Sequence, residues 1–235
     1  MHVEPCIVCY MLAWGIYSFA AYIGSVKIVL SLFSYKSQSE LIESGPDLLE
    51  LRLDKWVGDP VQFIREKKGH ETLSKIITVR SEEEGGFFKG TPEEWEEMVN
   101  PILPYADYID IEQKYSRFAE AIRAKGKKVI ASYHSYSMVH TPQLRALEAN
   151  LRRYGDIPKI IVTPESHDDV FSLIQYLISS TSPICLGVMG EEFRYARALF
   201  ALFGSFFVYC HGGTATAKGQ YSVGEMKKIL NLLRN

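Results

Sequence analysis

The chain has 235 residues, 47% of them hydrophobic and 23% charged, with a formal net charge of −2. That is the composition of a globular protein, long enough for one large domain or two small ones, and not of a disordered chain. The near-balance of charge removes any general reason to expect nucleic acid or an anionic membrane as partner.

Between Glu4 and Lys27 no residue carries a formal charge, and the stretch is rich in Tyr, Trp, Phe, Ile and Ala. It is about as long as a membrane-spanning helix requires, near 20 residues. It has no basic leader of a secretory signal, and it runs straight into a strand pattern at Lys27 without a linker. A packed appendage, a membrane anchor and a start assigned too far upstream, with translation beginning near Val26, are the three readings. The last is preferred, so residues 1–26 are set apart as an apolar extension from a single domain over 27–235. Cys6 and Cys9 have redox spacing but no matching second pair, while Cys185 and Cys210 sit in apolar runs where thiols pack as small hydrophobes. This usage suits a reducing cytoplasm.

From Lys27 onward strand-like and helix-like patterns alternate. Strands are expected over 27–32, 47–53, 75–80, 105–112, 127–134, 157–163, 183–189 and 206–211. Helices are expected over 37–44, 60–68, 92–100, 116–125, 142–154, 168–179, 191–203 and 223–234. Thr91-Pro92 and Thr141-Pro142 carry helix-start signals, Thr as N-cap and Pro in the first turn. Eight even βα units argue for an α/β fold closed as a (β/α)8 TIM barrel rather than an open sheet.

In such a barrel, strand residues alternate between the interior and the helix layer. Leu49, Leu51 and Leu53 share one parity, and Glu50, Arg52 and Asp54 the other. Thr78 and Arg80, Asp110 and Glu112, and Ser132 and His134 continue the charged parity on the next three strands. A helix layer wants apolar neighbours, so the charged parity faces the axis. By pattern alone Lys159 is one more strand-start lysine, like Lys27, Lys75 and Lys128. Extending the parity to the sixth strand turns Lys159 inward. Burial favours the neutral amine of a lysine, a nucleophile toward carbonyls.

An interior of lysine, histidine, arginines and carboxylates suits imine chemistry. Lysine condenses with a ketone, the iminium withdraws electrons, and histidine takes the acidified neighbouring proton. Arginines would hold an anionic substrate. There is no His or Cys cluster at metal spacing, no dinucleotide fingerprint and no Gly-Lys-Ser/Thr phosphate loop, so neither metal nor cofactor is expected. The small, glycine-rich run from His211 to Gln220 could bind phosphate or serve as a lid.

Several motifs are similar to those of type I 3-dehydroquinate dehydratases, Schiff-base lyases of the shikimate pathway. They are Glu50-Leu51-Arg52-Leu53-Asp54, Thr78-Val79-Arg80-Ser81 running to Glu84-Gly85-Gly86, Asp110-Ile111-Glu112 and Ser132-Tyr133-His134. Asp156-Ile157-Pro158-Lys159-Ile160, Met189-Gly190, Phe203-Gly204-Ser205 and Gly219-Gln220-Tyr221-Ser222-Val223 complete the series. The resemblance runs from about Lys27 to the end and implies a role for each matching position. Lys159 would be the Schiff-base lysine, His134 the proton shuttle and Glu84 the carboxylate that orients it. Ser31, Glu50, Arg52, Arg80, Thr216 and Gln220 would bind substrate. Of the two candidates for gripping the substrate carboxylate, Arg194 and Arg197, counting from the flanking motifs selects Arg197. Ala196 and Thr216 stand where the family usually has serine. The resemblance further implies 3-dehydroquinate as substrate, no metal or cofactor, and a homodimer. A Schiff-base aldolase of the same fold and a membrane-tethered metabolite-binding protein are the rival readings.

Overall fold

The structure, a computed structural model, describes residues 26–34, 45–66 and 72–234. The apolar extension as far as residue 25, with Cys6 and Cys9, and the helix expected over 37–44 lie outside these residues. Among the described residues there are eight strands: β1 (Lys27–Leu32), β2 (Leu48–Arg52), β3 (Ser74–Thr78), β4 (Tyr108–Glu112), β5 (Lys128–His134), β6 (Ile157–Val162), β7 (Cys185–Val188) and β8 (Phe207–Cys210). Parallel ladders join them in the order β7-β6-β5-β4-β3-β2-β1-β8. The described α-helices are α1 (Pro60–Arg65), α2 (Pro92–Val99), α3 (Ala119–Ala124), α4 (Thr141–Arg152), α5 (His167–Ser179), α6 (Ala196–Leu202) and α7 (Val223–Arg234). This is the (β/α)8 barrel that the alternation implied.

The strand parity decides what fills the barrel. Val29, Leu48, Ile76, Tyr108, Ile130, Ile157, Cys185 and Phe207, one from each strand, form a closed apolar plug on the axis. Two residues further along β1 to β6 the same parity becomes polar and buried, with Ser31, Glu50, Thr78, Asp110, Ser132 and Lys159. The opposite parity packs outward on the helices, in two larger apolar clusters. Barrel interiors are packed in such layers, and the layer toward the strands' carboxyl ends is where chemistry can be placed.

A recurring aspartate sets the register at the amino-terminal ends. Asp47, Asp107 and Asp156 each stand just before an even-numbered strand. Each backbone N–H donates to a carbonyl of the preceding strand, that of Ile28, Lys75 or Val129. Each carboxylate accepts the N–H of that same residue, at 2.7, 2.8 and 2.7 Å respectively. The last pair of strands lacks the aspartate. There Phe206 N–H donates to Ile184 O at 2.8 Å, and the Ser205 hydroxyl oxygen accepts from Leu186 N–H at 3.1 Å. The same hydroxyl lies 2.9 Å from Phe207 O, which can accept its proton. This is what the Phe203-Gly204-Ser205 motif contributes: a mended seam where no ladder runs.

Several expected elements start late. The strand expected from residue 105 begins at Tyr108, because Leu103–Tyr105 forms a 3-10 turn around Pro104. The helix expected from residue 116 is entered through the 3-10 segment Gln113–Phe118, which turns Tyr115 and Phe118 onto the ring of Trp95, with centroids at 5.0 and 5.6 Å. The helix expected from residue 191 begins at Ala196. Residues before it step through three-residue turns, such as Arg194 N–H to Glu191 O and Arg197 N–H to Arg194 O. Among the described residues no helix is long and apolar enough to cross a membrane.

Candidate active site

Of the four strand-start lysines, Lys27 and Lys128 are exposed. Lys75 is buried with its ammonium on Leu73 O at 2.7 Å. Lys159 alone of the four enters the cavity at the strands' carboxyl ends. That cavity measures about 540 Å³ and is lined by all ten residues singled out above: Ser31, Glu50, Arg52, Arg80, Glu84, His134, Lys159, Arg197, Thr216 and Gln220. Arg194 is not among its walls; its guanidinium lies over the ring of Tyr221, 4.1 Å from the centroid.

The Lys159 ammonium does not stand alone in the interior. It donates to Asp110 Oδ2 at 2.9 Å and lies 3.9 Å from Glu50 Oε1. Glu50 is itself held by the hydroxyls of Ser31 at 2.6 Å and Thr78 at 2.8 Å. The other oxygen of Asp110 accepts from Arg80 Nη2 at 2.6 Å and from the Ser132 hydroxyl at 2.5 Å. Arg80 is the hub of this frame. Its Nη1 reaches Glu112 at 2.8 Å, Glu84 at 3.0 Å and Ser132 at 3.1 Å. Expected to bind substrate, Arg80 here has its guanidinium engaged by three carboxylates. Arg52 is likewise paired, in a two-point contact with Asp54 at 2.9 and 2.8 Å.

The charge pattern follows from burial. Burial alone would raise the Asp110 carboxyl, but Arg80 and Lys159 outweigh it and hold it at about 2. Burial also dominates at Glu84, pushing it up against the pull of Arg80, with the charges of Glu112 and Asp110 adding to the push. His134 is pushed well below 6.5, first by burial and then by the cations of Arg80, Lys159 and Arg52. It is therefore a neutral imidazole at pH 7. Its Nδ1 lies 2.9 Å from Glu84 Oε2, which leaves Nε2 as the other ring nitrogen for a reacting proton.

Local sequence explains how Glu84 gets there. The turn Glu82–Glu84 ends at Gly85, which has φ +85°, and a Cβ on Gly86 would fall 2.0 Å from Arg80 O. Only two glycines let the loop fold back tightly enough to lay Glu84 on both Arg80 and His134. On the far wall, Thr216 donates to Gln220 Oε1 through its backbone N–H and its hydroxyl, both at 2.9 Å. Arg197 gives one Nη2 bond to Lys218 O at 3.2 Å, and its buried Nε has no protein partner among the described residues. Burial lowers this guanidinium to about 10. Among the described residues no three His, Cys, Asp or Glu side chains are grouped to hold a metal ion.

The depressed Asp110 carboxyl gives a pH test. An unfolded aspartate takes its proton near pH 4, the folded one only near pH 2, so the unfolded state binds the proton first as pH falls. The resulting stabilisation is full above pH 4 and is lost between about pH 4 and 2, on the order of 2 kcal/mol. Unfolding free energies of the protein and of Asp110→Asn, compared across that range, should converge by this amount. A gap independent of pH would contradict the pairing.

A family model described as Type I 3-dehydroquinase matches residues 30–235. The chain belongs to this family. It is 46% identical over 208 residues to the 3-dehydroquinate dehydratase of Methanoregula boonei, covering 88% of this chain and all of that protein. It is 33% identical over 209 residues to that of Methanospirillum hungatei, covering 88% and 81%. Among solved structures, the 3-dehydroquinate dehydratase from Aquifex aeolicus superposes with a TM-score of 0.75 at 29% identity, covering 87% of this chain and 97% of that one. The type I enzyme from Clostridium difficile, solved with covalently modified comenic acid, gives 0.79 at 23% identity, a likeness of fold, with 90% and 93% covered.

Within this type I 3-dehydroquinase barrel two participants carried no role in the sequence reading. Asp110 was placed inward and within a motif, but only the structure brings it against Lys159. Tyr209 on β8 was not singled out, although the parity that turns Phe207 inward does the same for it.

Proposed function

We propose that the chain dehydrates 3-dehydroquinate to 3-dehydroshikimate through a Schiff base at Lys159, the activity named for its relatives. One observation carries this reading: a buried lysine and a half-buried, neutral histidine line the same cavity from adjacent strands. Lys159 Nζ adds to the ring ketone, and loss of water leaves an iminium. That cation acidifies the adjacent carbon, and His134 takes its proton, with Glu84 fixing the imidazole through Nδ1. The enamine then expels the hydroxyl one carbon further on, protonated by the same histidine. Hydrolysis frees Lys159 and an enone, so one water is lost overall. Arg197, with an unpartnered Nε edge, suits the substrate carboxylate. Ser31, Glu50, Arg52, Thr216 and Gln220 border the substrate hydroxyls, and Arg80 acts by holding Asp110 and Glu84. The catalytic unit in this reading is the barrel of residues 27–235, working without metal or cofactor in a reducing cytoplasm. A homodimer is part of the reading; exposed Phe171 and Ile178, two turns apart on α5, offer apolar surface to a second copy.

The direct test is borohydride reduction in the presence of substrate, followed by peptide mass analysis. A stable adduct on Lys159 is expected, and an adduct elsewhere or none would reject the assignment. His134→Ala should lower kcat by about 10²–10⁴-fold while Lys159 still traps substrate. Turnover near normal in that variant would remove the shuttle role. Arg197→Ala should raise KM roughly tenfold or more, whereas Arg194→Ala, outside the cavity, should change it little. Equal effects would reassign the carboxylate.

A further inference from the structure

Lys159 has one neighbour that the mechanism above leaves unused. The Tyr209 ring on β8 lies under the ammonium, with Nζ 4.0 Å from the ring centroid. Sequence makes this approach feasible. Between β6 and β8 stands β7, whose axis-facing parity carries Cys185 and Gly187, among the smallest residues available, while Leu186 and Val188 pack in the helix-layer cluster. A ring from β8 can therefore reach the lysine of β6. The ring is fixed by packing: Phe207 meets it edge-on at 6.2 Å. Its hydroxyl, by contrast, is enclosed and has no protein partner among the described residues. The hydroxyl therefore neither anchors the ring nor is displayed to the cavity. What Tyr209 presents to Lys159 is a π face.

We propose that Tyr209 is a further catalytic residue of the Schiff-base reaction, its ring face stabilising the positive charge that Lys159 Nζ carries as an iminium. This rests on the Schiff-base reading of the site. A cation over an aromatic face is attracted by the ring quadrupole, and the attraction is strongest where water is excluded. In the reaction the lysine nitrogen gives up protons and gains a carbon substituent, so the iminium keeps a single N–H where the ammonium had three. A ring face needs no N–H donor, and it can follow the cation through that change. It thus acts on the charged intermediate whose electron demand makes the neighbouring proton acidic.

The test separates ring, hydroxyl and bulk. Tyr209→Phe should keep kcat/KM within about threefold and be no less stable, since it removes only an unpartnered buried hydroxyl. Tyr209→Leu should lower kcat/KM by about 30-fold, the loss expected for a desolvated cation–π contact. A series with phenylalanine, 4-fluoro-, 3,5-difluoro- and 3,4,5-trifluorophenylalanine at 209 changes the quadrupole at nearly constant shape. It should give a stepwise fall in kcat/KM with unchanged melting temperature. A flat fluorination series, or a leucine variant as active as phenylalanine, would overturn the proposal even with a Lys159 adduct in hand. Absence of any Lys159 adduct in the unsubstituted protein would instead bring down the Schiff-base reading, and this inference with it.

Discussion

Lys159→Met is expected to lower kcat on the order of 10⁵–10⁶-fold and to leave a folded barrel. Lys218, the other lysine lining the cavity, is exposed on the loop after β8 and not buried beside Asp110, so the loss is that of a whole pathway and not of one contact. The fold should survive because methionine keeps the volume of the lysine stem. Asp110 also retains the guanidinium of Arg80 and the hydroxyl of Ser132, and Glu50 retains the hydroxyls of Ser31 and Thr78, so both carboxylates beside Lys159 keep hydrogen-bond donors. Turnover followed by enone absorbance, beside a thermal melt, checks both halves. Activity within tenfold of the unsubstituted protein would exclude Lys159 as the nucleophile, and a collapsed melt would show that the ammonium is structural.

Arg80→Met is expected to be the most destabilising single change in the site, by about 3–5 kcal/mol at pH 7. It removes one buried cation from between three carboxylates, Asp110, Glu112 and Glu84. Lys159 can compensate only Asp110, and a buried carboxylate without a counterion is costly. The deficit should shrink when the unfolding experiment is repeated near pH 5, because carboxyls left without the guanidinium take up protons at higher pH than before. A loss below about 1 kcal/mol, or one that grows on acidification, would mean that Arg80 serves the site without holding it together.

Much of this arrangement is legible in the sequence because strand alternation is a strict two-residue code. Arg52, Arg80, His134 and Lys159 share one parity with buried apolar residues two to four positions earlier, which suffices to place them inside a barrel. The code fails where the backbone leaves the strand. Arg194 and Arg197 lie on irregular turns and at a helix start, so spacing to the flanking motifs, not periodicity, had to choose between them. Glu84 sits on a 3-10 turn whose course depends on two glycines. The late starts at residues 108, 119 and 196 reflect tertiary demands, such as the stacking on Trp95, that no local pattern encodes. The Arg80 frame was hidden for a related reason. Charged inward residues announce a site, but pattern cannot tell which of them meet substrate and which meet one another.

The aspartate clamps also bear on where the chemistry is addressed. Parallel strands tolerate sliding past one another unless something fixes the offset, and an offset of one residue exchanges the two faces of a strand. In β6 such a slip would send Lys159 into the helix layer and bring Pro158 or Ile160 to the axis. Asp156, three positions before Lys159, grips Val129 through both its backbone and its carboxylate, which fixes the count between β5 and β6. The nucleophile is thus delivered to the mouth of the barrel by a decision taken at its base. An Asp156→Ala chain would be penalised in the accuracy of its assembly before any effect on an assembled site.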